Sequence, residues 1–466
     1  MPLSDPHPTD LDVAGDVEDG RQSIEDRVQA LLSRMTLAEK IGQLSQVNGA
    51  GGHIPPELRE ALREGRIGSI LNEVELDTVN EIQRIAVEES RLGIPLLMGR
   101  DVIHGFRTVF PIPLGQAASW DPEVIRAGAR IGALEAAASG VNWTFAPMVD
   151  IGRDPRWGRV AECLGEDPHL ASILAAAMVE GFQGPDLTAT RTIAACAKHF
   201  AGYGASESGR DYNTTSIPEI ELRSVHLPPF KAAVDAGVAT LMASFSDLNG
   251  VPASGNRFLM TRVLREEWGF HGFVVSDWDS IPQLAVHGLT ADDGESAREA
   301  ANAGVDMEMA SRTYLENLEG LVQEGQVSAE RIDTMAANVL RTKFRLGLFE
   351  RHHTDPSVFP VPGNEDHLRE AHRAALRSVV LLKNDGGVLP LAPESLTSLA
   401  VLGPLADDGL EQLGTWIFDG DPALSRTPLS AIRAQVGDTV EVRYARVLET
   451  TRSRSREGFE EARTLA

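Results

Sequence analysis

Short apolar runs alternate with longer amphipathic stretches along most of the chain. The runs fall at 67–71, 95–98, 141–146, 192–197, 238–244, 273–276 and 305–309. Between them, 122–138, 171–182, 218–236, 260–268 and 329–344 carry apolar residues at helical spacing. Strands separated by helices of that length predict βαβ units on a parallel sheet. About eight units over roughly 330 residues suit a (β/α)8-type, TIM-like barrel, and an open doubly wound sheet fits the alternation almost as well. The residues after the runs separate the two. Asp101, Asp150, Lys198-His199, Ser246 and Asp277 each follow an apolar run closely. An open sheet gathers its ligands at one switch point, whereas polar groups after most strands converge only when the sheet closes on itself. A barrel is therefore expected over 21–350.

Across 351–375 the pattern lapses into His353-Thr354-Asp355-Pro356 and Pro360-Val361-Pro362-Gly363-Asn364, which reads as a linker. A second α/β unit is expected over 376–466, with strands at 379–383, 399–402 and 440–444 and a last helix opening near Glu457. Three strands make a small doubly wound sheet with one edge uncovered, so this domain reads as incomplete.

Composition narrows the function classes. The chain has 466 residues, 42% of them apolar, and no run long enough to span a bilayer. Residues 1–20 are acidic and Pro-rich and lack the basic and apolar regions of a secretory signal, so a disordered tail and a cytoplasmic address are expected. A formal charge of −25 argues against nucleic-acid backbones and anionic membranes as partners. Only Lys40, Lys198, Lys231, Lys343 and Lys383 are lysines; acid excess with so little lysine fits a high-salt cytosol and a GC-rich genome equally well. Cys163 and Cys196 lack metal or redox spacing. The sequence has no phosphate loop, no H-E-x-x-H and no G-x-S-x-G elbow, and Gly49-Ala50-Gly51-Gly52 lacks dinucleotide spacing. No cofactor and no metal are expected.

The chemistry gathers where the runs end. Phe273-Val274-Val275-Ser276-Asp277-Trp278 is an apolar strand that stops at a carboxylate and an indole. An ionised Asp at that end of a barrel strand is placed to attack an anomeric carbon, and Trp278 to cover the apolar face of a sugar; taken singly, the Asp also reads as the cap of a helix opening near Ser280. Asp101 and Arg107, in the loop after 95–98, suit hydrogen bonding to adjacent sugar hydroxyls, and a surface ion pair is the plainer reading. Asp154-Pro155-Arg156-Trp157-Gly158-Arg159 is rigid and doubly basic, and reads either as a turn with Trp157 in the core or as an arginine forked onto oxygens. Lys198 and His199 are adjacent in one strand, so only a bend or bulge aims both inward. Arg210-Asp211 lies on the long loop 205–216, of a kind that covers sites.

In order, these motifs closely resemble glycoside hydrolase family 3, its β-glucosidases in particular. The matches are 99–105, 154–159 with Gly165-Glu166-Asp167-Pro168, 198–200, Ser276-Asp277-Trp278 and Gly414-Thr415-Trp416. The resemblance implies a barrel followed by an α/β sandwich, with the site between them. It implies a retaining, exo-acting hydrolase that removes terminal β-D-glucosyl residues from a glucoside or oligosaccharide. Asp277 would be the nucleophile and Trp278 a wall of the sugar subsite. Asp101, Arg107, Arg159, Lys198, His199 and Arg210 would hold the glucose hydroxyls, and Trp416 would add an aromatic wall from the second domain.

Two departures stand out. Many relatives carry a Tyr hydroxyl near the nucleophile where this chain has Phe245, and one lost hydrogen bond to a charged group costs about 1.5–3 kcal/mol. The β-glucosidases also take their general acid/base from a second-domain Glu, expected beyond the helix that opens at Gly458-Phe459-Glu460-Glu461 and so past residue 466. Without that group, departure of a sugar slows by roughly 10²–10⁴-fold. A sister branch, the β-N-acetylglucosaminidases, uses a His on the loop after 198–200; Tyr203 stands at that place here, which disfavours that activity. Besides the hydrolase, the sequence leaves open a non-catalytic glucoside-binding protein, a fragment completed by a separate partner chain, and a β-xylosidase; the open edge of the second domain also predicts a homodimer unless a partner covers it.

Overall fold

The computed structural model describes residues 22–466; the tail expected at 1–20 lies outside the described residues. Eight strands form one parallel sheet: β1 (Ser45–Asn48), β2 (Ser69–Leu71), β3 (Leu97–Arg100), β4 (Trp143–Thr144), β5 (Cys196–Phe200), β6 (Thr240–Ala243), β7 (Phe273–Trp278) and β8 (Met307–Met309). Their order is β4-β3-β2-β1-β8-β7-β6-β5. The two ends of that row meet: Trp143 bridges Ala194 and Met148 bridges Lys198, and the Val149 N–H donates to the Lys198 carbonyl at 2.8 Å. The sheet closes, and the expected barrel is the fold. Its interior is filled by large side chains: Trp143 lies edge-on to Phe145 at 4.7 Å and to Phe273 at 5.1 Å, with its indole N–H on Thr240 Oγ1 at 2.9 Å.

The helices follow local capping rules. Pro122–Ala138 starts on an Asp121 cap with Pro at its first turn, and Ala329–Arg345 starts on Ser328. The helix expected over 218–236 breaks at Leu227, ahead of Pro228-Pro229, into two pieces. Strand β1 had no sequence signal, because Ser45-Gln46-Val47-Asn48 is mostly polar. It forms inside the barrel because Gln46 Nε2 donates to Ser69 Oγ (2.8 Å) and Ser69 Oγ to the Leu97 carbonyl (2.9 Å).

Within 351–375, expected to be a linker, residues Glu365–Ser378 begin a helix docked on the barrel helix Pro122–Ala138, through His367 Nδ1 to Glu135 (2.7 Å) and Arg377 to Asp121 (2.5 Å). The smaller domain that follows holds a parallel pair, β9 (Ser398–Leu402) and β10 (Glu441–Ala445), joined through the helix Pro428–Val436. The strand expected at 379–383 is absent. That apolar run pairs with no strand among the described residues, and Leu382 is 91% exposed; apolar β-formers make a strand only where a neighbour accepts their backbone bonds.

Candidate active site

The carboxyl-terminal ends of β3, β5 and β7 bring the site together. On β7, Asp277 sits where the register with β8 shifts, between the pairs Val275–Met307 and Trp278–Met309. Ser276 stitches this bulge: its hydroxyl accepts from the Met309 N–H (2.9 Å) and donates to the Asp277 carbonyl (2.9 Å). Asp277 Oδ1 accepts from the Trp278 N–H at 2.7 Å. Oδ2 is buried and has no hydrogen-bond partner among the described residues; it lies 3.5 Å from His199 Nε2.

Lys198 and His199 are both turned to the site, at a second register shift between Ala197 and Phe200. Lys198 Nζ donates to Asp101 Oδ1 at 2.8 Å. His199 gives both its backbone N–H and Nδ1–H to Asp150 Oδ2, each at 2.9 Å. Arg159 forks onto Glu162 (2.7 and 3.1 Å) and donates to His199 Nε2 at 3.1 Å. With Nε2 accepting, the imidazole proton is on Nδ1. Burial, helped by the charges of Arg159 and Lys198, holds His199 far below its ordinary pKa, so the ring is neutral. Burial pushes the Asp150 carboxyl up to about 7. It raises Asp277 to about 6, against the opposing pull of Arg159, Lys198 and the Trp278 N–H.

The remaining sequence candidates divide. Trp416 reaches in from the smaller domain, its ring 5.5 Å from the Arg159 guanidinium carbon and 6.0 Å from Lys198 Nζ. Trp278 is half-exposed at the end of β7. Phe245 is buried beside Tyr203 and edge-on to Tyr212 at 4.8 Å. Arg107 is exposed and gives a guanidinium N–H to the Asp419 carbonyl at 3.2 Å. Arg210 is exposed, and its side chain has no hydrogen-bond or ion-pair partner among the described residues. Tyr203 is buried, with its hydroxyl donating to Asp211, which also takes the Trp157 indole N–H at 3.0 Å.

Asp150, Glu162 and Asp419 had no role assigned from sequence. Glu162 carried a usable signal in its spacing of three from Arg159. Asp419 had only its place three residues after Trp416 to mark it. Among the described residues no group of three or more His, Cys, Asp or Glu is placed to hold a metal ion, and no helix is long and apolar enough to cross a membrane.

Most of the chain is similar to known proteins. Residues 36–342 match the glycosyl hydrolase family 3 N-terminal domain, and 379–466 match the C-terminal domain of the same family. The chain belongs to glycoside hydrolase family 3. It is 41% identical over 425 residues to a periplasmic beta-glucosidase of Salmonella typhimurium, covering 90% of this chain and 55% of that protein. A beta-xylosidase of Formosa agariphila is 34% identical over 428 residues, covering 86% of this chain and 59% of that protein. The structure of a beta-glucosidase from Listeria innocua in complex with glucose superposes with a TM-score of 0.87 at 37% identity, over 95% of this chain and 62% of that one. The chain thus spans less than two thirds of the length of these relatives. The Salmonella name places that protein in the periplasm; for this chain the cytoplasmic address stays an expectation from its opening residues.

Proposed function

We propose that this chain carries the nucleophile and glucose subsite of a retaining, exo-acting β-glucosidase. The observation that carries the reading is Asp277 Oδ2, buried and without a hydrogen-bond partner, in the field of Arg159 and Lys198 at the mouth of a closed barrel. An unengaged carboxylate oxygen held by packing is suited to attack an anomeric carbon, forming a glycosyl ester while the aglycone departs with the bonding electron pair. Asp101, Lys198, His199 and Arg159 would hold the sugar hydroxyls, and Arg107 and Arg210 would turn in from the rim. Phe245 would lie beneath the site, and Trp278 and Trp416 would flank the sugar and its aglycone. The β-glucosidase names of the Salmonella and Listeria relatives support glucose as the sugar; the Formosa relative makes xylose the competing pentose.

A retaining reaction also needs a second carboxyl group about 5–5.5 Å from the first. Asp101, Asp150 and Glu162 are each bound to Lys198, His199 or Arg159. That observation favours one other reading, a glucoside-binding protein or a chain that turns over only with a complementing partner. The test is intact mass after incubation with 2,4-dinitrophenyl 2-deoxy-2-fluoro-β-glucoside, whose leaving group departs without a proton. A fluoroglucosyl adduct mapped to Asp277, and lost in Asp277→Asn, is the expected result. Glucose binding by calorimetry with no adduct would replace the hydrolase by the binding protein.

A further inference from the structure

In the smaller domain, the strap 414–420 lies against the end of β3 and the loop after it. Asp419 is nearly buried and takes both prongs of Arg100, Nε at 2.9 Å and Nη2 at 3.1 Å, while Arg100 Nη1 is held by Asn72 Oδ1 at 2.9 Å. A bidentate, shielded pair fixes direction as well as distance. The strap's backbone is held too: His104 Nε2 lies 2.5 Å from the Thr415 carbonyl, and Arg107 donates to that of Asp419. The fit leaves no room for a side chain at Gly414, where a Cβ would stand 2.8 Å from Ile112 Cγ2. Between these clamps, Phe418 lies under the Arg100 guanidinium at 4.9 Å, and the Trp416 ring is edge-on to Phe418 at 5.5 Å. Trp416 has φ +55°, a left-handed conformation that a bulky residue keeps only where its surroundings enforce it.

Resting on the proposed roles of Asp277 as nucleophile and of Trp416 as a wall beside the aglycone, we infer that Arg100 and Asp419 form a positioning latch that holds Trp416 in place. The pair does not touch the sugar. It determines how tightly the chain holds glucosides whose leaving group offers an aromatic or sugar ring to Trp416. Phe418, packed between latch and tryptophan, transmits the position.

The test compares covalent labelling of wild type and Asp419→Asn by two reagents. One is 2,4-dinitrophenyl 2-deoxy-2-fluoro-β-glucoside, which carries a ring; the other is 2-deoxy-2-fluoro-β-glucosyl fluoride, which carries none. The variant is expected to raise the half-saturating concentration of the aryl reagent about three- to tenfold, the range one aromatic contact supplies. Its limiting rate stays within twofold, the fluoride reagent is unaffected, and Asp419→Glu restores part of the loss. Equal loss with both reagents, or none with either, overturns the latch. If wild type itself takes no label, the nucleophile reading has failed, and hydrogen exchange on the full chain still decides the latch. The amides of 414–420 should then exchange at least tenfold faster in Asp419→Asn, with barrel peptides unchanged; unchanged exchange at 414–420 rejects it.

Discussion

The cations and the imidazole around Asp277 are each engaged by a named carboxylate, and the chemistry depends on the carboxylate oxygen that faces them without a partner. Lys198 is engaged by Asp101, Arg159 by Glu162, and His199 by Asp150. Asp277 keeps one oxygen without a hydrogen-bond partner, as Asp150 does, and its carboxyl is raised to about 6 because burial outweighs the two cations. Attack requires the ionised carboxylate, and a raised carboxyl pKa makes that form scarce below 6 and complete above it. The limiting labelling rate is therefore expected to climb with pH and reach half its plateau near 6, measured from pH 4.5 to 8 with the dinitrophenyl reagent, whose leaving group does not titrate there. Lys198→Met removes a cation that favours the charged form, so the limb should move about one unit toward higher pH. A pH-independent rate, or a limb that moves the other way, would contradict this electrostatic account. The neutral state of His199 bears on the same point, since an imidazolium facing Asp277 would stabilise the carboxylate and pull the limb down.

At the scale of elements, the bulge in β7 is the feature on which the site depends. A regular strand would pair Asp277 with Met309; the shift leaves the Met309 N–H to the Ser276 hydroxyl, which in turn donates to the Asp277 carbonyl alongside the Ser280 N–H. Ser276→Ala removes both bonds from a fully buried place, so a loss of about 1–3 kcal/mol is expected in urea unfolding. Slower labelling should accompany it, because Asp277 loses its brace; stability within 0.5 kcal/mol of wild type, about the spread of neutral surface changes, would refute the stitch. The bulges also mark the limit of what the sequence reveals. Asp277 and the Lys198-His199 pair were legible because apolar runs stop at them. The need for a bulge at the second pair followed from strand alternation, and the register shift at Ala197–Phe200 supplies one. Strand β1 was illegible because its polar side chains are paid for by partners more than twenty residues away. Asp419 was illegible for a related reason: its role exists only once Arg100 is beside it. The run 379–383 misled in the opposite direction, since its composition is that of a strand and it pairs with neither edge of the β9–β10 sheet.

At the scale of the molecule, the two matched domains differ sharply in how they bury their apolar residues. The barrel closes its sheet and buries a large core whose members run from Val28 to Leu348, with smaller clusters beside it. The smaller domain has only the β9–β10 pair, and leaves Val379, Val380, Leu381, Leu382, Val388 and Leu389 between 46% and 91% exposed. Backbone in 379–391 is held by few hydrogen bonds, chiefly those of the Asn384 side chain with Leu389. Segments with little burial and few bonds open at a small fraction of the global unfolding free energy, and a protease acts on that open population. Thermolysin, which cuts ahead of apolar residues, is therefore expected to cleave first within 379–391. The helix Glu365–Ser378 remains on the barrel side of the cut, held by His367 on Glu135 and Arg377 on Asp121. Mass spectrometry of the early digest should find a barrel fragment ending in this stretch that persists while the smaller domain is degraded. If the first cuts fall inside the barrel, or 379–391 survives as long as the core, then that apolar surface is covered in solution and the stability order is reversed. The latch at Arg100 and Asp419 adds an internal control: Asp419→Asn removes a second tether of the smaller domain and should shorten its lifetime without changing the lifetime of the barrel fragment.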